Sequence, residues 1–257
     1  MEGFQREVHT VNGVKIVMYV AGEGQPLLFL HGAGTFHGFE FARKWTKNFR
    51  VMLPFHPGFG ESDDCPEMSD IHDYVMHYVD LLDALAIEKV NLVGFSLGGF
   101  LAARFASEHG HRVIKLALVG PAGLRDKEHP MVDVLAVPPE QLPGLLVENF
   151  DVLKPYLPTE PNLDFIADRY RETTTVARLI WDRPWDPKLP RQLHRVKMPT
   201  LLLWGENDKL IPSQQVRLWK KFIPNADIQL FGGAGHLVLD EKPEAVEAVE
   251  KFLSLSI

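Results

Sequence analysis

The stretch Asn91-Leu-Val-Gly-Phe-Ser-Leu-Gly-Gly-Phe100 decides the reading of this chain. An apolar run ends in a glycine, and a serine follows two residues later with two more glycines close behind. Gly94-Phe95-Ser96-Leu97-Gly98 is G-x-S-x-G. Between a strand and a helix, this pattern makes a sharp turn that lifts the serine above a sheet. Small residues on either side keep the neighbouring chain from clashing. The helix start offers backbone N–H groups and a dipole that favours developing negative charge.

Outward from that turn, the chain alternates. Asn12-Gly13 separates "FQREVHTV" from "VKIVMYV", which predicts a hairpin with a tight type I′ turn. Short apolar runs then end at His31, Pro54, Phe95, Gly120, Gly205 and Phe231. Near-continuous apolar runs suit strands buried on both faces of a parallel sheet. Helical patterns lie between them. In "SDIHDYVMHYVDLLDAL" the residues Ile71, Tyr74, Val75, Tyr78, Leu81, Leu82 and Leu85 form one stripe, with Ser69 or Asp70 as cap. "LGGFLAARFASEHG" predicts a helix that stops at Gly110, and Pro243 suits the first turn of the last helix. The expected fold is α/β, a mostly parallel central sheet with helices on both faces.

Residues 124–195 break the alternation. They carry many prolines and no apolar strand run, and "NLDFIADRYRETTTVARLIW" is their longest helical stretch, with Leu163, Ile166, Ala167 and Tyr170 as a partial stripe. The segment is read as a helical insertion in a core made of residues 1–123 and 196–257.

Composition narrows the function. With 257 residues and 46% hydrophobic residues, the chain can build one large core. A net charge of −7 argues against nucleic-acid or anionic-membrane partners. The single cysteine, Cys65, sits in the acidic loop "ESDDCPEM", where neighbouring carboxylates disfavour a thiolate. The first residues lack a signal-peptide pattern and no run is long enough to span a bilayer, so a cytoplasmic setting is expected. His109 and His111 lack carboxylate or cysteine partners nearby, and neither metal nor cofactor is expected. The expected partner is a small-molecule substrate, with the chain a monomer or homodimer.

A serine hydroxyl needs a base, and the base needs an orienting acid. His236, in "FGGAGHLVLDEKPE", follows the last strand run at the same sheet edge as Ser96. Asp208, in "LLLWGENDKLIP", ends the preceding run; Glu206 and Asp240 are rival acids. The order Ser, Asp, His fits a hydrolase built on a parallel sheet. An oxyanion formed on the substrate needs two N–H donors. Leu97, next to Ser96, supplies one. The loop His31-Gly32-Ala33-Gly34 supplies the other, from Ala33 with Gly34 as reserve, and His31 braces that loop.

"LLFLHGAG", "HPGFGESD", "LVGFSLGG", "LLLWGENDKLIP" and "GAGHLVLDEKPE" together resemble the motif set of the α/β-hydrolase superfamily over nearly the whole chain outside 124–195. The resemblance implies that the insertion is a helical cap over the site. One departure stands out: many relatives have Asp where this chain has His56, before Pro57-Gly58-Phe59-Gly60. A serine rather than an aspartate at the elbow disfavours haloalkane dehalogenase and epoxide hydrolase activities. The expected activity is hydrolysis of a small carboxylic ester or lactone through an acyl-enzyme. The alternative is hydrolysis of a carbon–carbon bond in a vinylogous diketone ring-cleavage product. Such relatives often carry Trp after the histidine, where Leu237 stands here, and use a cap arginine, for which Arg183 is the candidate beside Trp185. Phe36 and Phe95 are further pocket candidates. A non-enzymatic small-ligand receptor on the same fold is the alternative of another class.

Overall fold

A computed structural model describes residues 1–255. The strands are β1 (Gln5–Val11), β2 (Val14–Ala21), β3 (Gln25–Leu30), β4 (Phe49–Pro54), β5 (Val90–Phe95), β6 (Val113–Val119), β7 (Thr200–Gly205) and β8 (Asp227–Phe231). They form one sheet in the order β1-β2-β4-β3-β5-β6-β7-β8. β1 pairs antiparallel with β2 and β2 with β4; every other pairing is parallel. The β1–β2 turn puts Asn12 at φ 51° and Gly13 at φ 84°, the left-handed pair of a type I′ turn.

β5 and β7 are buried along their whole length, as their unbroken apolar runs require. β8 is an edge strand with Ile228 and Leu230 exposed. β5 sits mid-sheet, with β3 and β6 as its neighbours, so the chain leaving β5 emerges at the centre of the sheet's carboxyl edge.

α1 (Ile71–Ala84) starts at a capping box. Asp70, not Ser69, is the cap: its carboxylate accepts from Asp73 N, and Asp73 accepts from Asp70 N. The expected stripe of α1 is buried from Ile71 to Leu82. α2 (Leu97–Glu108) ends at His109. Gly110 does not close that helix in a left-handed conformation; it opens a short 3₁₀ turn, Gly110–Arg112.

The stretch 124–195 holds α3 (Leu142–Leu146), α4 (Leu163–Ile180) and several 3₁₀ turns, with one isolated bridge, Gly123 to Trp185. The stripe expected on α4 is wrong in phase. Leu163, Ile166 and Tyr170 are exposed, and the buried side chains are Glu172, Thr175, Val176 and Leu179. The helix turns its apolar N-terminal half outward because its inner face is fixed by polar contacts near its middle, described below. α5 (Val216–Phe222), α6 (Val238–Glu241) and α7 (Pro243–Ser254) complete the chain, with Pro243 in the first turn of α7. α1 and α2 pack on each other, whereas α7 packs on the 3₁₀ turn Glu40–Lys47, where Trp45 Nε1 donates to Val246 O. No helix among the described residues is long and apolar enough to cross a membrane.

Candidate active site

Ser96 joins β5 to α2 with φ 54° and ψ −115°. A non-glycine residue with positive φ is uncommon and costs free energy, which tertiary contacts must offset. Here Ser96 N donates to Val119 O at 2.9 Å, and Ser96 O accepts from Phe100 N and Ala122 N. The turn has no room for larger neighbours: a Cβ on Gly98 would stand 2.0 Å from Leu30 O, and one on Gly94 would stand 2.4 Å from Gly98 O. The G-x-S-x-G spacing is thus what lets α2 pack directly on the end of β3. Ser96 is buried, only 7% exposed. As the first residue of α2, Leu97 contributes an N–H with no partner inside the helix.

Asp208 follows β7. Its Oδ1 accepts from Leu210 N at 2.9 Å and Ile211 N at 2.8 Å, and its Oδ2 lies 2.7 Å from His236 Nδ1. Trp204 Nε1 donates to Ile211 O and ties the same loop to β7. Asp208 therefore acts as an acceptor fixed on both oxygens, and His236 Nδ1 carries the proton that it accepts. His236 Nε2 is buried and has no hydrogen-bond partner among the described residues. Gly120, the residue after Val119, lies against this pair; a Cβ there would be 3.4 Å from His236 Nδ1. The Phe95 ring packs on the His236 imidazole with centroids 4.8 Å apart. Through Val119, Gly120 and Phe95, the ends of β5, β6 and β7 gather Ser96, Asp208 and His236 at one edge.

The rival acids are elsewhere. Glu206 is exposed, and Asp240 lies 3.5 Å from His37 Nδ1.

The loop after β3 is braced as the sequence suggests. His31 Nδ1 donates to Gly32 O at 2.7 Å, and His31 Nε2 accepts from His56 N at 2.9 Å. His56 Nε2 donates to His31 O at 2.8 Å, and its Nδ1 bonds the Tyr78 hydroxyl. This chain accounts for His56 where an aspartate is common: the imidazole satisfies both the loop carbonyl and a buried phenol. Both rings are neutral. Burial pulls His56 down to about 3 and His31 well below the usual histidine range, each against the raising effect of a backbone hydrogen bond. Ala33 and Gly34 are half-buried in this loop.

The pocket candidates divide. Phe95 and Leu237 are buried beside His236, and Leu237 N donates to Leu146 O at the end of α3. Phe36 is half-buried beneath the Arg169 guanidinium, 5.5 Å from its ring centre. Arg183 is a correction. It is exposed, in a groove shared with Ser69, Phe100, Arg104 and Trp185, and that groove's walls include none of Ser96, Asp208 or His236. The physical reason is local: the turn after α4 is held by Asp186, which pairs with Arg104 rather than with Arg183. Trp185 lies in the same groove, stacked by Arg125 at 4.8 Å, and Trp181 beside it is exposed. Cys65 is a half-buried loop thiol whose pKa is raised, by burial first and by Glu67.

Sequence reasoning missed two carboxylates at this edge. Glu172 of α4 is buried and accepts from Thr35 N and Gly60 N. Glu241 accepts from Gly235 N, next to His236, and from Glu148 N and Asn149 N of the insertion. The only signal for Glu172 is its place on the inner face of a helix whose outer face is apolar. Glu241 has none, because its partners are backbone groups, two of them more than ninety residues away.

The family model of the alpha/beta hydrolase family matches residues 27–249. The chain belongs to the alpha/beta hydrolase family. It is an enzyme of the hydrolase class. It is 25% identical to 2-hydroxy-6-oxo-2,4-heptadienoate hydrolase of Pseudomonas putida, over 94% of this chain and 94% of that one. It is 27% identical to Lipase 1 of Psychrobacter immobilis, over 90% of this chain and 78% of that one. Among solved structures, 2-hydroxy-6-oxo-6-phenylhexa-2,4-dienoate hydrolase of a Rhodococcus species aligns with a TM-score of 0.77 at 21% identity, covering 98% of this chain and 99% of that one. At that identity the structural likeness speaks for the fold of this hydrolase.

Proposed function

We propose that this hydrolase is a serine enzyme that cleaves a small carboxylic ester or lactone through an acyl-enzyme. The carrying observation is His236: its Nδ1 is held 2.7 Å from Asp208 Oδ2 while its Nε2 is buried and unpartnered among the described residues, at the edge where Ser96 sits in a strained turn. An imidazole oriented on one nitrogen and open on the other is a general base awaiting a hydroxyl.

The steps follow. Ser96 Oγ attacks the substrate carbonyl carbon as its proton passes to His236 Nε2. The carbonyl electron pair moves to oxygen, where the N–H groups of Leu97 and Ala33 bind it. Asp208 stabilises the imidazolium. The C–O bond to the leaving alcohol breaks, and that alcohol takes the proton from His236. Water then attacks the acyl-enzyme, gives its proton to His236, and the acid leaves as Ser96 regains its proton. Residues 124–195 act as a cap, since Leu146 and Glu172 reach the loops that carry His236 and Ala33. Phe95, packed on His236, and Leu237, next to it in the chain, supply the apolar wall of the proposed site with Phe36, suited to an acyl chain.

A second reading is hydrolysis of a carbon–carbon bond in a ring-cleavage product, the activity named for the Pseudomonas putida relative. The observation that favours it is Arg169. This cap arginine stands 3.8 Å from a Cβ position on Gly34, between Phe36 and Phe165, and its buried Nε has no partner among the described residues. It stands nearer the oxyanion loop than Arg183 does, with its Nη1 paired to Glu172 at 2.7 Å and its Nε left for an anionic substrate end. Leu237, in place of tryptophan, weighs the other way.

The test is turnover of short and medium acyl esters, lactones and a vinylogous diketone by the enzyme and by Ser96→Ala. Ester or lactone hydrolysis lost in the variant supports the first reading. Turnover of the diketone alone replaces it with the second. Ester turnover that persists in Ser96→Ala refutes the serine mechanism.

A further inference from the structure

We propose that Glu172 is a positioning residue that sets the oxyanion-binding loop, so that the cap helix must be seated for the loop to work; this rests on the serine mechanism above. The starting point is an oddity of α4. Its exposed side bears Leu163, Ile166 and Tyr170, while its buried side bears a carboxylate that is 2% exposed. A buried carboxylate is costly unless its lone pairs are filled.

Here they are filled by four donors. Oε2 accepts from Thr35 N at 3.1 Å and pairs with Arg169 Nη1 at 2.7 Å. Oε1 accepts from the Thr35 hydroxyl and from Gly60 N at 3.1 Å. Thr35 directly follows Gly34. At the other end of the same loop, His31 is held by Gly32 O and His56 N. Ala33 and Gly34, the candidate oxyanion donors, therefore lie between two pins. Gly60 ends the turn that begins at His56, so a single carboxylate joins the cap helix, the oxyanion loop and the segment that braces His31. Oxyanion donors act only when aimed at the position of the developing charge, and a displacement of about 1 Å costs on the order of 10²-fold in rate.

The helix does not depend on Glu172 for its seat. Arg171 donates to Gly60 O and Ser62 O, and Arg178 pairs with Asp64. Glu172→Gln should leave the cap folded while disturbing the loop. An amide keeps one acceptor oxygen, and its NH₂ group then faces two of the four donors.

The experiment measures Ser96 modification by a fluorophosphonate, in which the serine oxygen–phosphorus bond forms as fluoride leaves. Rate at saturation and half-saturating concentration are measured separately, beside thermal melting. In Glu172→Gln the saturated rate should fall about 10- to 100-fold with little change in half-saturation. Thr35→Val, which removes only the hydroxyl donor, should fall less, and Thr35→Ser should recover most of that loss. If Glu172→Gln does not melt cooperatively, the Thr35 pair carries the test alone. A wild-type saturated rate in the folded Glu172→Gln variant overturns the inference, as does a loss confined to half-saturation, which would mark Glu172 as shaping the pocket only. Failure of the wild-type enzyme to label overturns the serine mechanism itself, a separate outcome.

Discussion

Acidification should destabilise this hydrolase through buried histidines outside the candidate triad, and His77 isolates the effect. His77 lies on the buried side of α1, 2% exposed, with neither ring nitrogen partnered among the described residues. Burial pulls it down to about 4, with Asp80 opposing. His56, hydrogen-bonded between the oxyanion loop and Tyr78, is pulled by burial to about 3. In the unfolded chain both titrate near 6.5. Between that value and the folded one, the unfolded state binds a proton that the fold refuses. Stability is therefore full above about pH 6.5 and is lost as pH falls, until about pH 4 for His77 and about pH 3 for His56. At pH 5 the gap from 6.5 is about 1.5 units, or about 2 kcal/mol for each group. His77→Leu removes one such contribution and deletes two unpaired buried nitrogens, so it should cost little at pH 7. The assay is urea unfolding of both proteins at pH 7 and pH 5. The wild type should lose about 2 kcal/mol more than His77→Leu over that interval. Equal losses would refute the assignment of a neutral, buried His77.

Other expectations follow from single contacts. Asp208→Asn keeps the oxygen facing Leu210 N and Ile211 N but turns an NH₂ group toward His236 Nδ1, so kcat should fall by about 10⁴; a loss under tenfold would move the acid role elsewhere. Gly98→Ala puts a Cβ 2.0 Å from Leu30 O and should destabilise the fold by about 3 kcal/mol, read as a lower midpoint in denaturant. Glu241→Ala frees Gly235 N, Glu148 N and Asn149 N, so these amides should exchange with solvent faster while those of β5 do not.

Most of the fold can be read from the chain because its strands are buried on both faces. Leu201, Leu202 and Leu203 have no alternative to burial, and the glycines at 94 and 98 announce the turn between β5 and α2. Ser96, Asp208 and His236 stand out as the candidate triad because each follows a strand run, and strand ends in a parallel sheet share an edge. The insertion obeys different physics. Its helix α4 is seated by Arg171 on Gly60 O and Ser62 O and by Arg178 on Asp64, while Glu172 accepts from Thr35 N and Gly60 N, and backbone acceptors and donors leave no mark in a sequence. That is why an apolar stripe at Leu163, Ile166 and Tyr170 points to the wrong face, and why the sequence does not single out Arg169, which stands beside Gly34.

The central claim is that Ser96 forms a covalent acyl intermediate. It is tested most directly by mixing the enzyme with a 4-nitrophenyl ester, quenching in acid during turnover, and mapping the added mass by peptide mass spectrometry. The acyl group should sit on Ser96, and Ser96→Ala should carry none and release no nitrophenol above background. An acyl group on another residue, or ester turnover undiminished in Ser96→Ala, would contradict the account.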